Sequence, residues 1–467
     1  MSRKVTIIGG GPGGYPAALI LAQQGTQVTL IEKDKLGGTC LNRGCIPTKV
    51  LLEASHVLRQ IKTAQRMGIR VKEVDVDYSI LRKHKDSVVE GLVKGVEKLC
   101  EARKIRVVKG TAVLETPQTI RIRESGEAVR GDAVILATGS VPANSPVPGA
   151  DGPGVINSDQ ALSLVQVPPS MVIIGAGYIG LEFAQIFHGL GAKVTVLEML
   201  PLALPNEDKD VANELERSLK QEGIQILTEV TVKGISGEEG RKRVNYSAKS
   251  QDHTLEAALV MLAVGRRPNI GGLGLEKAGV KTEKGGVAVN PFMETSTPGM
   301  YAIGDAIGGI MLAHVATAEG HTAADHILGN KHPLDYKAVP RCIYTHPEAA
   351  SVGLTEAEAK KKYGEILVGR FPLQASGKAR IVGGSGFAKV IAEKQYREIV
   401  GVHLVGPHAT EMIAGAATAM NLECTGEELA HTIHPHPTIS EMIMEAAMAV
   451  EGYKIHSLCG LGGEKRP

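Results

Sequence analysis

Lys4–Glu32 reads KVTIIGGGPGGYPAALILAQQGTQVTLIE, and Met171–Glu198 reads MVIIGAGYIGLEFAQIFHGLGAKVTVLE. The second stretch repeats the first at a constant offset. Gly9, Gly11 and Gly14 correspond to Gly175, Gly177 and Gly180; Gly25 corresponds to Gly191, Val28 to Val194 and Glu32 to Glu198. Each copy is a strand, a glycine turn, a helix, a second strand and an acidic residue. This is the dinucleotide-binding βαβ pattern, and each part has a physical reason. The first glycine makes the tight turn, the second lets backbone N–H groups approach a pyrophosphate, and the third lets the helix lie against the strand. The helix N-terminus attracts the phosphates, and the glutamate can accept hydrogen bonds from a ribose 2′-hydroxyl.

Two such units predict an α/β chain with two Rossmann-like domains and two dinucleotides. One is expected to be a bound flavin, FAD, and the other a nicotinamide that comes and goes. Glu198 favours NAD over NADP, because a carboxylate repels a 2′-phosphate. No cation follows it in Met199-Leu200-Pro201-Leu202.

Just past the first copy lies GGTCLNRGCIPTK, residues 37–49, which places Cys40 five residues before Cys45. An ideal helix holds residues at that spacing roughly 8.7 Å apart between Cα atoms. A disulfide needs less than about 7 Å. The two cysteines can therefore pair only if the first turn is distorted, which Gly44 and Asn42 permit. Beyond Cys45 the pattern predicts a helix, with Pro47 suited to its first turn. Cys45 then sits near a helix N-terminus, where a thiolate is favoured. A reactive dithiol beside a nucleotide site points to electron transfer between a cofactor and a disulfide, so the flavin is placed at the first fingerprint. Cys100, Cys342 and Cys424 are isolated and read as structural, and Cys459 near the C-terminus has no neighbouring cysteine to join.

The chain has 467 residues, enough for two to four domains. Its 43% hydrophobic and 22% charged content is that of a globular protein. A net charge of +2 gives no electrostatic case for nucleic acid or an anionic membrane. No apolar run approaches the about 20 residues of a membrane span. A strand begins at Lys4, so the expectation is a cytoplasmic protein without a leader. No cysteine or histidine cluster has zinc-ligand spacing, so no metal is expected.

These features resemble the pyridine nucleotide–disulfide oxidoreductase family over nearly the whole chain, and most closely its dihydrolipoamide-oxidising branch. The markers are both fingerprints, the cysteine motif, ATGS at 137–140, VGRRPN at 264–269, YAIGDA at 301–306, YTHPEAASVG at 344–353 and HPHPTISE at 434–441. The resemblance implies an FAD domain at 1–149, an NAD domain at 150–269, a central segment at 270–338 that completes the FAD site, and an α+β interface domain at 339–467 that makes a homodimer. It implies that Cys45 is the thiol nearest the flavin and that Cys40 exchanges with substrate. His436 would be the catalytic base, oriented by Glu441, both reaching the active site of the other subunit. Lys49 would lie near the reactive flavin nitrogen and pair with Glu182. Asp305 would bind the flavin ribitol, and Thr138, Gly139 and Gly265 would line the nucleotide sites. Tyr178 would gate the nicotinamide pocket.

The implied activity is oxidation of dihydrolipoamide, free or on a lipoyl-bearing protein, with reduction of NAD, as in cell redox homeostasis or within a 2-oxoacid dehydrogenase or glycine cleavage complex. Alternatives at this stage are a glutathione-type reductase using NADPH, a mercuric-reductase-like flavoenzyme, and a scaffold with vestigial chemistry. Glu198 opposes the first, and the absence of a C-terminal cysteine pair opposes the second. Both cysteines, the base and both fingerprints oppose the third. By themselves His431 and His434 read as surface or structural residues, and the Lys49–Glu182 pair could be an ordinary buried ion pair.

Overall fold

Strand β1 (Lys4–Ile8) is buried from Val5 onward, because both faces of its sheet are covered. It pairs in parallel with β2 (Gln27–Glu32), and helix α1 (Gly14–Gln23) makes the crossover between them. The computed structural model describes residues 3–457, and Cys459 lies outside the described residues. The full sheet runs Met300–Ala302, Ala133–Leu136, β1, β2 and Arg106–Lys109, all parallel.

The repeat seen in sequence extends to this whole architecture. A second parallel sheet runs Val155–Asn157, Leu259–Leu262, Ser170–Ile174, Lys193–Leu197 and Gln225–Leu227. Each unit also carries a three-stranded antiparallel sheet, over Ala112–Arg130 in the first and Val230–Ala257 in the second. The units differ at one edge. In the second, the strand beside Leu259–Leu262 comes from just before the unit. In the first, the matching strand, Met300–Ala302, comes from the chain that follows the second unit. A two-stranded ribbon, Ser140–Pro142 against Arg266–Pro268, joins the two units.

From residue 341 on, a five-stranded antiparallel sheet is ordered Arg341–Ile343, Glu348–Gly353, Ile399–Gly406, Phe387–Glu393 and Ile366–Pro372. Helices Ala409–Asn421 and Glu441–Val450 cover it, burying Ile413, Met420, Met442 and Ala446 against Val390, Val402 and Leu404. The sheet is bolted to the second unit by a buried ion cluster. Lys389, only 1% exposed, bonds both oxygens of Asp208 (2.8 and 3.0 Å) and reaches Asp210 (2.8 Å) and Glu356 (2.7 Å); Arg370 also contacts Asp210. Removing the cation from such a cluster leaves uncompensated buried carboxylates. Lys389→Met is therefore expected to cost about 3–5 kcal/mol. The denaturation midpoint measures this, and an unchanged midpoint would mean that Arg370 alone neutralises the acids.

At the dithiol the sequence expectation needs a correction of detail. The motif forms two helices, α2 (Gly38–Arg43) and α3 (Cys45–Thr63), where one distorted first turn was expected. The break is at Gly44 alone, which has non-helical dihedrals of −143° and −113°. A methyl group there would lie 3.0 Å from the Thr39 carbonyl oxygen and 3.3 Å from the Cys40 Cα, so a side chain would push the two segments apart by a few tenths of an ångström. Asn42 stays helical, and its Nδ2 donates to the carbonyls of Leu36 and Gly38, both at 3.0 Å.

Candidate active site

The two glycine turns are built alike. Gly9 and Gly175 have φ of +108° and +107°, and a methyl group on either would collide with a backbone carbonyl, Ala137 O at 2.2 Å or Ala263 O at 2.4 Å. The third glycines press their helices onto the turns: a methyl at Gly14 would lie 1.9 Å from Gly9 O, and one at Gly180 would lie 2.0 Å from Gly175 O. The second glycines face open space. Nothing lies within 4 Å of where a Gly177 methyl would stand, and only the Gly38 Cα, at 3.8 Å, approaches the Gly11 position. That is the room a pyrophosphate requires.

Each terminal glutamate does more than the sequence reading gave it. Glu32 accepts from Gly10 N and Asp34 N, both at 2.8 Å, and Glu198 accepts from Ala176 N (2.7 Å) and Leu200 N (2.9 Å). Each carboxylate thus clamps the glycine turn and keeps spare lone pairs for a ribose hydroxyl. Beside Glu32 a depression of about 460 Å³ is lined by the apolar Leu36, Ile105 and Val107 and by charged residues that include Asp34, Lys35 and Lys109. Thr138 has a buried hydroxyl oxygen without a partner, while the faces of Gly139 and Gly265 are open. The orphaned Thr138 hydroxyl and the open faces of Gly11 and Gly139 fit a flavin dinucleotide at the first unit.

Asp305 follows the strand Met300–Ala302 in a tight turn, Gly304–Ile307. Its Oδ2 accepts from the Ser140 hydroxyl, which in turn accepts from Arg266 Nε at 2.8 Å. The joining ribbon therefore links the turn after the first unit's sheet to the second unit. Sequence reasoning missed Ser140 and Arg266 as a relay, although both fall inside motifs used only for domain placement.

Cys40 and Cys45 are free thiols joined by a hydrogen bond. Cys45 opens α3. The bond from Cys40 lowers the Cys45 pKa to about 7, burial opposes this, and the Lys49 ammonium adds to it. The Cys40 thiol is pushed the other way by the same bond and by burial. The pair is thus polarised, with Cys45 the thiolate. Lys49, one turn along α3, bonds both oxygens of Glu182 (3.0 and 2.8 Å), a buried residue of the helix Tyr178–Gly189. Its ammonium also lies 4.3 Å from the centre of the Tyr344 ring, and Tyr344 N donates to Glu182 Oε1 at 3.1 Å. Tyr344 was not singled out from sequence, because only the fold brings residue 344 to residue 49. Tyr178 is half exposed at the start of that helix, in electrostatic reach of Asp305, Arg266, Glu182 and Cys45.

Lys49→Met is expected to raise the Cys45 pKa by about 1, since an opposite charge nearby favours the thiolate by at least that much. The pH profile of Cys45 alkylation, read by mass spectrometry, checks it. A profile unchanged from that of the wild type would assign the lowered pKa to Cys40 and the helix terminus alone.

His436 lies apart, at the C-terminal layer, with 79% of its side chain exposed. Its Nδ1 meets Glu441 Oε1 at 2.8 Å, and Thr438 N donates to Glu441 Oε2 at 2.8 Å. Burial acts against ionisation of Glu441, but the bonds from His436 and Thr438 outweigh it and hold the carboxyl below its usual range. His434 only meets the Thr432 carbonyl, at 2.9 Å. Among the described residues no group of three or more His, Cys, Asp or Glu side chains could hold a metal ion, and no helix is long and apolar enough to cross a membrane.

A polarised dithiol at a helix terminus, set between two dinucleotide units, is the arrangement of a flavin-linked disulfide enzyme. The chain belongs to the pyridine nucleotide-disulphide oxidoreductase family, whose model matches residues 3–320, with the dimerisation-domain model of that family matching residues 339–447. It is 43% identical over 458 residues to a dihydrolipoyl dehydrogenase of Bacillus subtilis, covering 97% of this chain and 100% of that protein. It is 40% identical to the mitochondrial dihydrolipoyl dehydrogenase of Pisum sativum, covering 97% and 92%. Among solved structures, LpdA from Mycobacterium tuberculosis superposes with a TM-score of 0.88 at 27% identity, covering 96% and 99%. The HOCl-induced flavoprotein disulfide reductase RclA from Escherichia coli does so with 0.86 at 29%, covering 95% and 99%.

Proposed function

We propose that the chain oxidises dihydrolipoyl thiols, free or protein-borne, to the lipoyl disulfide and reduces NAD to NADH, using FAD and the Cys40–Cys45 couple. The observation that carries this reading is the placement of the couple: Cys45 opens α3 and the Lys49 ammonium lies one turn along it, which favours the Cys45 thiolate. In thiol–disulfide exchange the sulfur with the lower pKa leaves more readily. A substrate thiolate attacking Cys40 therefore expels Cys45 as a thiolate, held by Lys49 and the start of α3. The substrate's second thiolate then attacks its own sulfur in the mixed disulfide and expels Cys40. One disulfide is broken and one formed, and two electrons are left on the enzyme dithiol. His436 takes the proton of one substrate thiol and returns it to Cys40, and the proton of the other thiol passes to solvent. Glu441 fixes the ring tautomer and stabilises the imidazolium. The flavin, when bound, relays the two electrons to the nicotinamide.

The roles of the site residues follow the same reading. Gly9, Gly11, Gly14, Glu32, Thr138, Gly139 and Asp305 serve FAD; Gly175, Gly177, Gly180, Glu198 and Gly265 serve NAD. Two copies pair through the 339–447 region, and the exposed His436–Glu441 dyad of each serves the dithiol of the other. The same reading takes the setting as cytoplasmic and the partner as a 2-oxoacid dehydrogenase or glycine cleavage complex; the names of the relatives support the lipoyl substrate alone. The deciding experiment is a steady-state assay of dihydrolipoamide with NAD beside glutathione disulfide with NADPH. The expected result is turnover with the first pair at least about tenfold more efficient, a difference of some 1.4 kcal/mol. Equal or better use of the second pair would overturn the substrate assignment.

A further inference from the structure

The helix Ala313–Leu328 touches the flavin half-site at three points. Thr317 Oγ1 donates to the Pro12 carbonyl at 2.8 Å, in the first fingerprint loop. Gly320 lies so close to that loop that a methyl group on it would stand 2.6 Å from the Gly13 carbonyl oxygen. Between them Glu319, 2% exposed, accepts from Gly304 N (2.5 Å) through Oε2 and from the Tyr336 hydroxyl (2.8 Å) through Oε1. Gly304 is the residue before Asp305. One helix thus ties the fingerprint loop to the turn that presents the aspartate.

No Lys, Arg or His forms an ion pair with Glu319 among the described residues, so this is a buried carboxyl held by two neutral donors. Such a group is costly to ionise, and a glutamine could accept from Gly304 N through its one oxygen and donate to the Tyr336 hydroxyl without that cost. The catalytic steps above leave it without a task.

We propose that Glu319 is a positioning residue for the flavin, holding the Gly304–Asp305 turn at a fixed distance from the fingerprint loop. The proposal rests on the reading that the first unit binds FAD. Glu319 also makes that hold sensitive to pH. Burial pushes its carboxyl up to about 7, the bonds from Tyr336 and Gly304 oppose this, and the Asp305 carboxylate adds to it. Because the folded value lies above the free value, the stabilisation is complete below the ordinary carboxylate range and is lost as pH rises through about 7. Above that pH a second negative charge faces Asp305 beneath the site for the phosphates. Flavin retention should weaken there.

The test follows FAD release from the full-length holoprotein, by fluorescence of the freed flavin, between about pH 6 and about pH 8.5. The wild type is expected to release flavin roughly tenfold more readily at the upper end, with the break near neutrality, one decade per unit of coupled ionisation. Glu319→Gln should release it at one rate throughout. Tyr336→Phe removes a donor to the ionised form, so its break should move to higher pH; this variant decides the matter if the glutamine protein does not fold. A wild type that binds flavin but shows no break would overturn the proposal alone, as would a glutamine variant that keeps the break or a phenylalanine variant that leaves it in place. A wild type with no flavin at any pH would overturn the flavin reading and this proposal with it.

Discussion

Cys45→Ser is expected to reduce NAD-linked oxidation of dihydrolipoamide by about 10⁵–10⁶-fold, the scale on which loss of a covalent participant is felt. An alcohol neither joins a disulfide nor leaves as a stabilised anion near neutral pH. Flavin content should be unchanged, because the residues on the glycine turn and the Asp305 turn that fit FAD are left intact. Cys40→Ser should be as inactive. The bond from Cys40 is the largest cause that lowers the Cys45 pKa. Cys40→Ala removes that donor, which a serine hydroxyl would replace, so in the alanine protein Cys45 should alkylate with a pH profile displaced upward. Appreciable dihydrolipoamide turnover by either serine variant would remove the dithiol from the mechanism.

His436→Gln is expected to lower kcat by about 10²–10⁴-fold, the usual contribution of a positioned general base. The shape of the pH profile should change as well. In the wild type the imidazole takes the substrate proton near neutral pH. Without it, only substrate already ionised can react, so below the thiol pKa the residual rate should climb about tenfold per pH unit. Glu441→Gln should lose less, since the imidazole remains and only its orientation and the charge opposite the imidazolium are lost. A glutamine variant at 436 with nearly full rate and an unaltered profile would deny the dyad its role. Mixing Cys45→Ser with His436→Gln protein tests the pairing of copies: if the subunits exchange, one intact site per mixed dimer should restore part of the activity.

Much of this was legible because it is local. The glycine spacing, the flanking strands and the acidic residue at the end of each unit lie within thirty residues, and the fold places them as the spacing implied. The dithiol was legible for the same reason, although the division into α2 and α3 was not. A glycine in a helical stretch does not announce which neighbour its missing side chain admits. What stayed hidden depends on residues far apart in the chain. Tyr344 meets Lys49, Lys389 meets Asp208, and Glu319 holds Gly304 only after the sheets have closed. The second task of Glu32 and Glu198, clamping the turn, was hidden for a different reason: a carboxylate in that pattern is expected to face a ribose, and backbone N–H groups compete for the same oxygens.

The unequal sheet edges bear on how the chain is made. The second parallel sheet draws all five strands from residues 155–262, a continuous stretch. The first begins at Lys4 but lacks its last strand until Met300–Ala302 has been synthesised. On the ribosome the unit that starts later can therefore be finished sooner, while the unit that starts first waits with an open edge beside Ala133–Leu136. A nascent chain with about 290 residues outside the exit tunnel should protect the later unit from protease and leave the earlier one susceptible, and emergence of Met300–Ala302 should close the gap.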